Sequence, residues 1–211
     1  MLSRILNPPV IIGLLGPDGA GKSTIAGLLQ EELTDQDYKV RIVHVGVYTE
    51  KENETAFLRT VKKVHGRITG VDHEKQRQKN KANRSSKRTL SKFGLGKSLV
   101  YFVDMLIRYL QAVTTDNDIV ITDRFFHDLL FHNQSLLVRT LIRVFESGPI
   151  YIFRLSADSD LIAARSEHPA EYIEEMQTTL SETNAYPVDV GNQPEDAVSK
   201  IIEVLRDRDV V

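Results

Sequence analysis

The chain has 211 residues, 41% of them apolar, which is enough for one fully packed domain and too few for two of typical size. It contains no cysteine, which excludes a disulfide framework, a thiolate metal site and a cysteine nucleophile. The formal net charge of −2 conceals a block from Val61 to Ser98 in which twelve Lys and Arg residues stand against Asp72 and Glu74, a local +10 that leaves −12 on the remainder. A block of that kind usually meets something anionic.

In chain order, the N-terminal apolar stretch is interrupted by Pro8 and Pro9 and ended by glycines, well short of a membrane span or a signal segment, so a cytoplasmic protein is expected. Val10 to Leu15 is a continuous apolar run, predicted as a strand buried on both faces of a parallel sheet. It runs into "GPDGAGKST", where Gly16, Gly21, Lys22 and Ser23 occupy every fixed position of G-x-x-x-x-G-K-[ST]. Gly16, Gly19 and Gly21 allow the backbone N–H groups to turn inward, and a helix predicted from Lys22 adds the positive end of its dipole. Gly16, Asp18, Gly19, Ala20, Gly21, Lys22, Ser23 and Thr24 are therefore the candidate ATP-binding set. Lys22, its stem at the surface of the loop, is expected to reach the β- and γ-phosphates, and the Ser23 hydroxyl to ligate Mg²⁺. Thr24 could face a phosphate or satisfy local backbone, and both readings stay open.

"YKVRIVHVGV" is predicted as the second strand, with His44 near where a phosphoryl acceptor would sit. The basic block follows; from about Gly66 to Gly96 it has few apolar residues and is expected as a loop or an adaptable polar helix. Its centre, Lys75 to Arg88, is expected either to close over an anionic ligand or to be a solvated loop with no role, and both readings stay open. "LVYFVDMLIRYLQAV" has helical periodicity and carries Asp104 and Arg108 four residues apart, a helix ion pair or a part of the acceptor site. "DIVITDR" is the third strand and delivers Asp123 to the sheet edge beside the phosphate loop, a carboxylate placed to hold Mg²⁺, with Arg124 suited to bidentate phosphoryl contact. His127 and His132 lie five apart, a poor spacing for two ligands on one helix face, and packing or surface roles are expected for them.

"LLVRTLIRVFES" reads as a helix ending at Gly148, "PIYIFRLSA" as the fourth strand, "DSDLIAARSE" and "AEYIEEMQTTLSET" as helices, and "PVDV" as a weak fifth strand. "QPEDAVSKIIEVLRD" closes the chain as a helix with Asn192 as N-cap and Pro194 in its first turn. Strands alternating with helices predict an α/β fold, a parallel sheet with helices on both faces and ligands at the strands' carboxyl ends. A single domain over residues 1–211 is expected, with the basic insert at about 61–98.

These residues resemble the thymidylate kinase-like P-loop kinases, a nucleoside monophosphate kinase family. "GPDGAGKST" is similar to that family's phosphate loop, including Asp18; "TDRFF" to its Asp-Arg-aromatic motif; and "LSADSDLIAARSE" to the strand, helix and arginine that begin its lid, with Arg165 in the arginine's place. The resemblance covers about residues 9–60 and 98–207. It implies a P-loop kinase fold with a five-stranded parallel sheet, and transfer of the γ-phosphoryl of Mg·ATP to a nucleoside monophosphate, usually dTMP. It further implies that Asp18 faces the acceptor, Arg124 the phosphates in flight, and Arg165 the transferring group. Lys22, Asp123, Arg124 and Arg165 are the catalytic candidates, and Ser23 and Asp123 the metal candidates.

The chain departs from the family on the acceptor side. After the second strand "HVGVYTEKENE" stands where an Arg-Glu-Pro-Gly-Gly stretch would grip the acceptor phosphate; "SEHPAEY" follows Arg165 without a further arginine; and the basic block has no counterpart. A sugar or other small metabolite is the alternative acceptor. A nucleotide-gated nucleic-acid-binding module is a third reading, disfavoured because the block holds only Phe93 as an aromatic. No Asn-Lys-x-Asp guanine motif is present, which disfavours a GTPase. The expected partners are a small-molecule acceptor and a second copy of the chain in a homodimer.

Overall fold

A computed structural model of the chain describes residues 8–47, 55–69, 94–145, 149–166, 168–191 and 193–211. Five strands, β1 (Val10–Leu15), β2 (Val40–His44), β3 (Ile119–Asp123), β4 (Ile150–Ser156) and β5 (Tyr186–Asp189), form one sheet in the order β2-β3-β1-β4-β5. Every pairing is parallel. The helices are α1 (Lys22–Asp35), α2 (Ala56–Thr69), α3 (Leu95–Val113), α4 (Leu136–Phe145), α5 (Ser159–Arg165), α6 (Ala170–Ser181) and α7 (Pro194–Arg206), with a 3₁₀ segment at Phe126–Phe131. This is the α/β P-loop kinase fold.

Side chains alternate across a strand, and both faces of this sheet are covered, so β1 must be apolar throughout. Ile12 and Leu14 pack on one face with Ile25, Leu29 and Leu33 of α1 and Ile201 and Leu205 of α7. Ile11 and Leu15 pack on the other with Phe102 and Met105 of α3, Val138 and Ile142 of α4, and Met176 and Leu180 of α6. Each of these side chains contributes roughly 1.5–3 kcal/mol on leaving water.

The topology also places the ligand end. The chain leaves β1 for the edge strand β2, returns as β3 beside β1, and then crosses to β4 on its other side, so the direction of winding reverses at β1. A crevice opens above the carboxyl end of a strand where that happens. Leu14 pairs with Asp123, and Arg124 N–H donates to the Leu14 carbonyl at 3.1 Å, which puts the Asp-Arg pair level with the start of the glycine-rich turn.

Three features differ from the sequence expectations. Helix α2 was not anticipated: Thr55 Oγ1 accepts from Leu58 N–H at 3.1 Å, Leu58 is buried, and the helix packs on α3. It takes up the first residues of the basic block, and α3, starting at Leu95, takes up its last; Lys75 to Arg88 lie outside the described residues. The 3₁₀ segment likewise carried no sequence signal that we read. Helix α7 has Pro194 in its first turn as expected, but its N-cap is Gln193, without a side-chain cap, and Asn192 lies outside the described residues. Among the described residues no helix is long and apolar enough to cross a membrane.

Candidate functional site

The turn after β1 is built on three positive-φ glycines, Gly16, Gly19 and Gly21. At Gly19, φ is +89° and a Cβ would lie 2.9 Å from the Ile162 carbonyl oxygen in α5, so both conformation and space require glycine. Gly21 caps α1 without a side chain, which leaves the first N–H groups of the helix for a ligand. Ala20 is buried, whereas Ser23 and Thr24 are exposed on the first turn of α1.

Lys22 is not a surface residue of the loop, as its stem was expected to be; it is only 6% exposed. Its ammonium donates to the carbonyls of Gly16 at 2.9 Å and Pro17 at 2.7 Å, and stands 3.9 Å from Asp18 Oδ1. Burial pushes its pKa down to about 8, with Arg124 adding to the effect and the carboxylates of Asp18 and Asp123 opposing it.

Ser23 Oγ donates to Asp123 Oδ2 at 2.8 Å. The other oxygen, Asp123 Oδ1, is buried and has no hydrogen-bond partner among the described residues. A buried carboxylate oxygen left without a partner is costly. A hydroxyl beside a carboxylate, at the base of a phosphate loop, is a hard-oxygen donor set that fits Mg²⁺. Ser23 and Asp123 would hold the ion, which supplies charge neutralisation of phosphate oxygens when bound.

Arg124 follows in the left-handed region, φ 71°, an uncommon conformation for a residue with a side chain. The packing that imposes it is adjacent: Phe125 and Phe126 are fully buried, in edge-to-face contact at 4.9 Å, and Phe126 stacks on Phe145 at 4.6 Å. The turn aims the guanidinium back at the phosphate loop. Nη1 donates to Asp128 Oδ2 at 3.1 Å, and Nη2 to Asp18 Oδ1. Burial works against the charge of Arg124, but Asp128 and Asp18 outweigh it and hold the guanidinium more firmly protonated than an ordinary arginine.

Asp18 is thus the meeting point of three cationic or proton-donating groups, Arg124, Lys22 and His168, whose Nε2 lies 3.6 Å from Asp18 Oδ2. The His168 imidazole holds the Asp18 carboxyl well below the usual carboxylate range, against the effect of burial and with Arg124 and Lys22 assisting.

On the β2 side, Gly46 presses on the same arginine: a Cβ there would fall 2.5 Å from Arg124 Cδ and 2.6 Å from Asp128 Oδ2. Gly46→Ala is therefore expected to lower stability by about 1–3 kcal/mol, the usual range for overpacking. It should also cut turnover by displacing the guanidinium. Chemical denaturation together with initial rates would check this, and an alanine protein with parental stability and rate would show that Arg124 is free to move aside.

Asp104 and Arg108 form a helix ion pair and also brace the scaffold. Both are buried; Arg108 donates to the carbonyls of His44 at 3.0 Å and Gly46 at 2.8 Å and to Asp104 Oδ2 at 2.6 Å, while Asp104 accepts from Thr55 Oγ1. The pair ties the end of β2 to α2 and α3. His127 and His132 are buried, and among the described residues no group of three His, Cys, Asp or Glu side chains could hold a metal. Arg165 ends α5 next to Gly19, but its side chain is exposed and forms no ion pair among the described residues. Lys22, Ser23, Asp123, Arg124 and Asp18 are brought together; Arg165 stands at the rim.

Sequence reasoning missed Gly46, Asp128 and His168. The four-residue spacing of Arg124 and Asp128 could have suggested the second. Nothing local marks the first or the third.

A profile of the KAP family P-loop domain matches residues 1–188. No curated protein matches the chain. Among solved structures, it is similar to a thymidylate kinase from Candida albicans, with a TM-score of 0.57 and 15% identity over 96% of this chain and 93% of that one. It is also similar to a thymidylate kinase from Ehrlichia chaffeensis, with a TM-score of 0.50 and 15% identity over 94% of this chain and 98% of that one. At such identity these likenesses establish the fold.

Proposed function

We propose, given that the chain belongs to the KAP family of P-loop domains, that it is a Mg·ATP-dependent phosphotransferase whose γ-phosphoryl acceptor is a nucleoside monophosphate, dTMP-like. The observation that carries this reading is the placement of Arg124, fixed between the phosphate loop on one side and the loop after β2 on the other. Phosphoryl transfer is catalysed mainly by positioning and positive charge, and a guanidinium between donor and acceptor sides supplies both. Lys22 would leave the Gly16 and Pro17 carbonyls for the phosphates. The thymidylate kinases of the same fold add support for the acceptor class.

A second reading, hydrolysis with water as acceptor, is favoured by one observation. Arg108, a buried arginine of α3 that reaches the end of β2, is bound to the His44 and Gly46 carbonyls and to Asp104. Its two terminal nitrogens are thus taken up by the scaffold, which leaves only Nε, buried and without a hydrogen-bond partner among the described residues, for an acceptor phosphate. The test is ADP release from Mg·ATP with and without a panel of nucleoside monophosphates and sugars. Transfer predicts that a dTMP-like monophosphate stimulates release at least about tenfold. Release indifferent to every acceptor would establish hydrolysis instead.

The lowered pKa of Lys22 gives a pH dependence with a definite sign. Phosphate charge beside the ammonium raises the pKa again on binding. Below about pH 8 the lysine is already charged and affinity is full; above it, binding must take up a proton and affinity falls, by up to about tenfold per pH unit. Calorimetry at pH 9 in buffers of different ionisation enthalpy should record that uptake, and Lys22→Arg, charged throughout, should abolish it. A dissociation constant unchanged from pH 7 to 9.5 would refute this.

A further inference from the structure

We infer that His168 is a positioning residue: through Asp18 it fastens the loop between α5 and α6 onto the phosphate loop and so slows the escape of a bound nucleotide. This rests on the nucleotide site proposed above but concerns a residue outside its binding set.

The ring is fixed from three directions. It stacks on Tyr172, in the first turn of α6, at 4.5 Å and 25°. Its backbone N–H donates to Ser166 Oγ at 3.2 Å, and Nε2 faces Asp18 Oδ2 at 3.6 Å. The remaining ring nitrogen, Nδ1, is buried without a hydrogen-bond partner among the described residues. A proton on Nδ1 alone would be a buried, unsatisfied donor, so Nε2 is the ring nitrogen placed to donate, directed at the carboxylate.

Asp18 divides its two oxygens. Oδ1 serves Arg124 and Lys22, the cations that phosphates would claim; Oδ2 serves His168. When a triphosphate draws Lys22 and Arg124 away, His168 is the partner that remains, and its contact with Asp18 strengthens as competition ends. A second contact acts in parallel: Gly19 lies against the Ile162 carbonyl and Ser166, so adjacent residues of the phosphate loop are both held by residues of one short segment, Ile162, Ser166 and His168. Arg165 sits inside that segment. Fastening it keeps the arginine at the rim of the site.

The experiment measures binding and dissociation of β,γ-imido-ATP with MgCl₂ for the full chain and three variants. His168→Phe preserves stacking on Tyr172 but cannot donate to Asp18; it should weaken binding about tenfold, nearly all in the dissociation rate. His168→Gln keeps an N–H donor and should restore most of the loss. Asp18→Asn should make the His168→Phe change nearly silent, because the carboxylate it served is gone. Should the phenylalanine protein fail to fold, His168→Ala takes its place with the same expected loss. Parental dissociation from the phenylalanine or alanine protein, or a glutamine protein no better than either, would overturn the inference while leaving the nucleotide site intact. A parent chain that does not bind the analogue would overturn both.

Discussion

Lys22→Ala is expected to lower Mg·ATP-dependent turnover by roughly 10²–10³-fold, the range for losing one preorganised group that stabilises transition-state charge. It should leave the fold in place. The ammonium is held by the Gly16 and Pro17 carbonyls in a buried setting that disfavours its charge, as its pKa of about 8 records. Truncation therefore removes a group that the fold tolerates for the ligand's sake. A stability measurement separates this from simple damage. The pKa is about 8 in the folded chain against 10.5 for a free lysine, so the unfolded state binds more protons between those values. On this group's account, stability rises with pH through that window. The parent should gain stability relative to Lys22→Ala on going from pH 8 to 10.5. A folded alanine protein with parental turnover would remove the lysine from the mechanism.

Asp123→Asn is expected to reduce turnover by about a hundredfold or more and to shift the Mg²⁺ titration to higher concentration. The asparagine keeps an oxygen for the Ser23 hydroxyl, so the end of β3 and the start of α1 should stay joined. It loses the charge on the oxygen that has no hydrogen-bond partner among the described residues, which is where a cation's hold would be felt. Initial rates across a magnesium series would read both effects. A variant with parental rate and parental magnesium dependence would make Asp123 a structural strand end.

The parts of this account visible in the sequence are those whose cause is local. A continuous apolar run, three glycines in a short turn and Lys-Ser-Thr at a helix start are contiguous, and β1, the phosphate loop and α1 follow from them. "IVITDR" is equally self-contained, and the parallel register then does the rest by setting Asp123 opposite Leu14. What escaped depends on contacts between distant segments. Helix α2 is disguised by the Lys and Arg residues on its solvent side, and it is held by burial of Leu58 and by Thr55 reaching Asp104 on α3. The need for glycine at position 46 arises from Arg124 and Asp128, some 80 residues on, and the role of His168 from Asp18, which the fold alone brings near. Arg165 shows the converse: a residue singled out by resemblance, placed at the rim but not in the cluster.

The measurement that bears most directly on the proposed function is the fate of the γ-phosphoryl group. With ATP labelled at the γ-position, MgCl₂ and dTMP, the label is predicted to appear in the nucleoside diphosphate, and to do so no longer when Lys22 or Asp123 is replaced. Label found only in inorganic phosphate, at a rate that dTMP and the other acceptors leave unchanged, would contradict a phosphotransferase and identify the chain as a hydrolase.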